Sequence, residues 1–465
     1  MHVRPVPLIL MLAAASTGIL VPATARSQTP DLYLRGVPSG EPVPEPLALT
    51  MADAVRRALE HNLGLILAEQ RVDAAGGARW KALSELLPNI NGRAAATRQQ
   101  VNLTAFGFPL PEGVPSIAGP FNVYDARVFL SQSVFDVHAL NAARAEAHRS
   151  EAARFDVRNA QDVVTRVSTN AYSQALAAAA LVEASRAQRD TADALFRQAT
   201  NLKQAGLVAG IDVLRAEVQL GTARQKVTAS EADAEKTKLQ LARLIGLPIG
   251  QAFTLADRIQ PASAPDLTLD QALERAYKAR GDYQAALARV DAALANRRAI
   301  VGESLPSLKV TADWGAIGQT PSEALATFAV AGAVSVPIFQ GGKAKGRLLE
   351  ADAELKSRRA EAEDMKAGVY YDVRTAFLDV QAGRELLEVA ARGRSLAANQ
   401  LTQARDRFAA GVTGNLEVVQ AQESVALADD QYISALFASN LATGNLIRAL
   451  GSTEEAARTD TGGTR

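Results

Sequence analysis

The chain has 465 residues, 48% of them hydrophobic but only 5% aromatic, and its 50 basic side chains are balanced by 50 acidic ones. No basic excess is available to neutralise a phosphate backbone, so nucleic acid is excluded as a partner class, and 22% charged residues exclude both a polytopic helical membrane protein and a disordered chain. Alanine supplies roughly a fifth of the residues and has the best helix propensity, which favours long helices packed at close range.

At the N-terminus Arg4 precedes an apolar run from Leu8 to Val21, followed by Ala23, Thr24 and Ala25. A basic start, a short apolar segment and an A-x-A pattern read as a secretory signal over residues 1–25. A short anchor helix is the alternative, but the run falls short of the roughly 20 residues a spanning helix needs. With no cysteine in the sequence, disulfides and an acylated N-terminal cysteine are ruled out, so the exported protein is expected to be non-lipidated. Residues 26–48 carry Pro30, Pro38, Pro42, Pro44 and Pro46 and read as an extended Pro-rich arm.

An internal repeat organises the chain beyond this arm. At an offset of 218, Thr50 falls on Thr268, the run Arg71 to Ala75 on Arg289 to Ala293, and Leu87-Pro88 on Leu305-Pro306. At an offset of 205, Gly206 falls on Gly411, Asp212 on Glu417 and Gly246 on Gly451. The expected units are a first repeat over 49–250, an equatorial linker over 251–266, a second repeat over 267–451 and a flexible tail over 452–465. The change of offset lies in a stretch rich in Gly, Pro and Phe, Val101 to Phe121 with Phe106 and Phe108, which is expected to be a loop.

Val137 to Gln204 contains neither proline nor glycine over 68 residues, and at about 1.5 Å per residue it spans on the order of 100 Å as a helix. Gly342 to Ala409 is its proline-free counterpart. The shorter helical stretches, Asp212 to Ile245 and Thr268 to Leu305, are expected to stack end to end beside the long ones. Val418, Val425, Tyr432, Ser439 and Leu446 recur every seven residues, interleaved with Ala421, Ala428, Ala435, Ala442 and Ala449. That a/d pattern is a coiled-coil seam. Val419, Ala426, Ile433 and Ile447 offer a second stripe, and helices with two seams can tile into a closed cylinder, although an ordinary antiparallel bundle would show the same seam.

The strand signals separate these alternatives. Leu308, Val310, Ala312, Trp314 and Ala316 alternate with Lys309, Thr311, Asp313 and Gly315, and Thr327 to Ile338 alternates likewise. Segments of about 10 residues, apolar on one face and polar on the other, fit transmembrane β-strands. In the first repeat, Asn89 to Arg98 and a strand with Ala126, Val128, Leu130 and Val134 on one face correspond to them. Four strands cannot close a barrel in lipid. Two chains would fill the interior with side chains, whereas three give twelve strands and an aqueous lumen. The expected fold is mainly α with a membrane β-barrel: a trimeric 12-stranded barrel continued by an α-helical coiled-coil tunnel, with two tandem repeats per chain. The longer loops, Val101 to Phe121 and Gly318 to Ala324, are expected outside.

The segments Gly206-Leu207-Val208-Ala209-Gly210-Ile211-Asp212, Phe408 to Gln422 and Val336-Pro337-Ile338-Phe339-Gln340-Gly341-Gly342 resemble the outer-membrane efflux protein family, the TolC-like channel-tunnels. The resemblance spans the chain from the end of the Pro-rich arm to Gly451. It implies a homotrimer set in outer-membrane lipid, serving as the exit duct of a tripartite efflux or secretion system, with a periplasmic adaptor and an inner-membrane pump as partners. It also implies that Gly206, Leu207, Val208, Ala209, Gly411, Val412 and Gly414 form an adaptor-contact tip, and that Asp212 and Glu417 are carboxylates of a periplasmic gate. At the further gate positions this sequence has Gln420 for a second carboxylate, Phe408 for a tyrosine and Thr413 for an arginine. On the residues alone, Asp212 could instead be a helix N-cap and Glu417 a complement to a helix dipole.

No catalytic constellation or cofactor motif appears, so no enzyme activity is expected. His2, His61, His138 and His148 lack metal-ligand spacing, and Gly341-Gly342-Lys343 lacks the remaining residues of a phosphate loop. A periplasmic adaptor or a coiled-coil envelope protein is the alternative, and neither accounts for two repeats with strand pairs.

Overall fold

The computed structural model describes residues 32–107, 113 and 115–451. The signal segment, the first residues of the arm, Phe108 and the tail 452–465 lie outside the described residues. Among those described, α1 (Met51–His61), α2 (Leu63–Ser84), β2 (Asn89–Asn102), β3 (Ile117–Phe135), α3 (Val137–Gln204) and α4 (Gly210–Leu244) are followed in the same order by α5 (Leu269–Ala279), α6 (Gly281–Gly302), β5 (Ser307–Gly318), β6 (Leu325–Ser335), α7 (Lys343–Ala409) and α8 (Asn415–Ala449). Two short strands, β1 (Leu47–Leu49) and β4 (Phe253–Leu255), pair in parallel at the equator.

The long helix α3 is the hub, packing against α2 and α6 along one stretch and against α4 and α8 along the other. Its N-cap, Asp136, accepts from the Ala139 N–H. In α7, Leu355, Ala362, Val369, Ala376, Gly383, Ala397 and Ala404 are buried on one straight seven-residue repeat, turned toward α6 and α8. Along the α8 seam, Val418, Ala421, Ala428, Ser439, Ala442, Leu446 and Ala449 are buried, while Val425, Tyr432 and Ala435 are half-buried.

The helical stretches before the strands are each broken in two. Thr50 and Thr268 both close capping boxes, with Asp53 and Gln271 respectively, as their common offset predicts. At the first break the fully buried Asn62 donates to the Tyr33 carbonyl at 2.7 Å and accepts from the Gly64 N–H at 2.9 Å. At the corresponding position Arg280 interrupts what the sequence presents as one helix from Thr268 to Leu305. Its backbone turns extended (ψ 119°), and its buried guanidinium binds Asp282 at 2.6 Å and Asp372 at 2.8 Å. Burial opposes ionisation of Asp282, but Arg280, with Arg448 beyond it, outweighs burial and holds the carboxyl below the usual carboxylate range.

The Pro-rich segment is extended from residue 35 onward, yet it is not a free linker. Gly36 N–H donates to the Arg243 carbonyl at 2.8 Å, Val37 N–H to His61 O at 2.8 Å and Val43 N–H to Gln251 Oε1 at 2.7 Å. It therefore belts the joint between α1, α2 and the end of α4. Tyr172 of α3 ties the same region together, donating at 2.7 Å to the Leu49 carbonyl and at 2.9 Å to Asp257; burial, then the bond to Asp257, pushes its phenol well above the ordinary range.

The sheet is antiparallel with the order β2-β3-β5-β6. Register collects Ile90, Ala94, Val128, Leu130, Val310, Trp314, Phe328 and Val330 on one face, with Val128 beside Trp314 and Trp314 beside Phe328. A bulge between Ser133 and Phe135 leaves Val134 unpaired and brings Phe135 opposite Leu308, so Val134 falls out of the alternation expected for it. The segment expected to be a loop from Val101 to Phe121 is partly strand. Val101 pairs with Ala118 and Asn102 with Ile117 beyond a bulge, and a 3₁₀ turn comes next over Leu103–Phe106. Strand β6 stops at Ser335, two residues before Pro337, which cannot donate to a ladder.

Candidate functional site

The two turns between long and short helices, 205–209 and 410–414, are built alike. Gly206 and Gly411 take the left-handed conformation (φ 77° and 70°) that glycine adopts at little cost. Leu207 N–H then reaches back to Leu202 O at 2.9 Å and Val412 N–H to Arg407 O at 3.0 Å, the six-to-one bond of a Schellman end. Leu207 and Val412, which correspond at the offset of 205, are 72% and 68% exposed. Ile211 and Leu416, the next corresponding pair, are also exposed. Each turn therefore projects two apolar side chains beyond a glycine-fixed bend.

Neither α4 nor α8 has a side-chain cap: the N-caps are Ala209 and Gly414. Asp212 and Glu417 are the third residues of these helices, so Asp212 is not an N-cap. Both lie where the open N–H groups of a first turn favour negative charge. Asp212 faces Arg215 at 3.5 Å and Glu417 faces Arg407 at 3.3 Å, pairs exposed enough to contribute little stability.

The other gate positions are spread apart. Phe408 is 8% exposed and packs with Leu195, Ala199, Ala216, Ala404, Val418 and Ala421 in a core shared by both helical hairpins. It lies four residues after Ala404 on the α7 seam, and this seam spacing drives it inward rather than toward an opening. Thr413 has a buried hydroxyl with no hydrogen-bond partner, and Gln420 is exposed. The residue that joins the turns is Asn415. It is fully buried and its side-chain amide donates to the Asp212 carbonyl at 3.2 Å. Sequence reasoning passes over it; the available signal is that its counterpart at the offset of 205 is Gly210, which cannot make such a bond.

Higher up, Lys226 of α4 binds Asp430 of α8 at 2.7 Å. Beside it a cleft of about 270 Å³ between the hairpins is lined by Gln188, Gln422, Thr191 and Thr222, with the amide of buried Gln422 unpartnered. No group of three metal-ligating side chains occurs among the described residues.

A family model described as outer membrane efflux protein matches residues 54–247 and 272–452. Protein CyaE of Bordetella pertussis is 26% identical over 410 residues, 85% of this chain and 82% of its own length. The pyoverdine export outer membrane protein OpmQ of Pseudomonas putida is 23% identical over 338 residues, 70% of each chain. Among solved structures, the outer membrane channel CmeC of Campylobacter jejuni superposes with a TM-score of 0.75 at 16% identity, covering 89% of both chains. The outer membrane protein VceC of Vibrio cholerae gives 0.74 at 19% identity, over 86% of this chain and 96% of its own. At such identities the structural likeness speaks for a TolC-like fold. The matched segments take in both strand pairs and both helical hairpins, and the chain belongs to the outer membrane efflux protein family.

Proposed function

We propose that this chain is one of three that together build the outer-membrane exit duct of a tripartite exporter, a passive channel filled by an inner-membrane pump through a periplasmic adaptor. The observation that carries the reading is the sheet: four strands with an apolar outer face and two unpaired edges, β2 and β6. No helix among the described residues is long and apolar enough to cross a membrane, whereas this sheet has an apolar face and lacks only closure. Open edges are not tolerated in lipid, and β6 of one copy against β2 of the next closes a ring.

The helices repeat the same head-to-tail logic. On α7, Leu378, Leu386, Val389 and Leu396 are exposed along one side, and on the opposite flank Leu214, Val218 and Leu239 of α4 are exposed. An apolar stripe on each flank suits a heterologous contact that closes by rotation. In this assembly the turns at 205–209 and 410–414 face the periplasm, their exposed Leu207 and Val412 meet the adaptor, and Asp212 and Glu417 ring the entrance.

Reconstitution of the purified protein into planar bilayers tests the reading. Stepwise, long-lived ionic conductance is expected. Protein that remains soluble without detergent and produces no conductance would contradict it and favour an adaptor or scaffold.

A further inference from the structure

Apart from Arg98 near the loop end, every ionic side chain of the four-stranded sheet lies on the face opposite Trp314 and Phe328: Arg93, Asp125, Arg127, Lys309 and Asp313. Arg127 is fixed across two strands. Its Nε donates to Asp125 at 2.7 Å and its terminal nitrogen to Asp313 at 3.2 Å. Gly315, directly opposite Arg127, makes the crossing possible, since a Cβ there would stand 2.6 Å from Arg127 Cγ and 2.2 Å from the Ala126 carbonyl oxygen. Both carboxylates of this face are thereby engaged by one guanidinium.

Arg93 is the cross-strand neighbour of Arg127. Like charges directly opposite one another are destabilising, and Arg127 is relieved by its two carboxylates while Arg93 is not. Arg93 is exposed and has no ion-pair partner among the described residues, and the same holds for Lys309, nearer the helical end of the sheet. The face carries three cations against two carboxylates: the unpaired Arg93 and Lys309 contribute two positive charges, the Arg127 cluster with its two carboxylates one negative, and each chain is left with a surplus of one positive charge.

We propose that Arg93 and Lys309 line the barrel lumen and give it a preference for anionic solutes, opposite in sign to the acidic turns at the other end. This rests on the trimeric duct described above. Three copies place six unpaired cations in a lumen with low-dielectric walls, where fixed charge focuses the field and lumen-facing substitutions tune selectivity.

The test is the reversal potential of reconstituted channels in a potassium chloride gradient, with two variants of opposite expectation. Arg93→Gln combined with Lys309→Gln should lower the chloride-to-potassium permeability ratio by about twofold or more relative to the unaltered chain. Asp313→Asn should raise it, because the Arg127 cluster then loses its net negative charge and the surplus on the face rises from one positive charge per chain to two. If both variants conduct normally and neither ratio moves, the inference is overturned while the duct reading stands. If the unaltered chain forms no channel, both fall. Should the double variant fail to assemble, Asp313→Asn alone decides, and an unchanged ratio there overturns the inference.

Discussion

Asp212 and Glu417 each stand in the first turn of a helix that begins without a side-chain cap, and each is met by an arginine at more than 3 Å. In one chain their work is local, worth about 0.3–1 kcal/mol apiece against the helix dipole. In a threefold ring they become six carboxylates at one opening, where crowded like charge raises the local potential. Replacing both with alanine should leave assembly intact, weaken block by multivalent cations and reduce cation preference in bilayer recordings. Lower melting temperature with unchanged block and selectivity would leave helix stabilisation as their whole role. The correspondence of these two residues is legible from the repeat alone, as are the glycines that shape the turns. The burial of Phe408 is not, because its position in the gate pattern and its position on the α7 seam point in opposite directions, and packing against six apolar neighbours decides.

At the scale of elements, the breaks at Asn62 and Arg280 show how one repeat position can be served by different chemistry. Asn62 uses amide hydrogen bonds to its own helix and to the Pro-rich segment. Arg280, 4% exposed, uses Asp282 and Asp372, with Arg448 and Asn159 behind them. No proline or cap announces the second break, because Asp282, two residues on, is joined there by Asp372 of α7 and Arg448 of α8, which lie far away in sequence. A carboxyl whose folded pKa lies below its unfolded value contributes its full stability above the ordinary carboxylate range and loses it as pH falls through the depressed value. Asp282 is of this kind. Asp282→Asn is therefore expected to cost about 3 kcal/mol at neutral pH by leaving a buried guanidinium half paired. It should also flatten the dependence of melting temperature on pH between about pH 5 and pH 3. Calorimetry of both proteins across that range checks the expectation, and parallel curves would show that the ion pair is not what stabilises the joint.

For the whole molecule, the long helices and the strand alternation are readable because each depends on local pattern: 68 residues of α3 without a breaker, and period-two runs around Trp314 and Val330. What local pattern cannot show is how far β2 and β3 run past their alternating core, or that the proline-bearing segment is held by backbone bonds to the equator. Both are set by partners distant in sequence. The central claim is the proposed closure, in which a sheet with two free edges and a helical layer with an apolar stripe on each flank are completed by further copies of the same chain. Native mass determination of the protein extracted in mild detergent tests this most directly. Three chains per particle is the predicted result, and a stable monomer, fully inserted in the membrane, would contradict it.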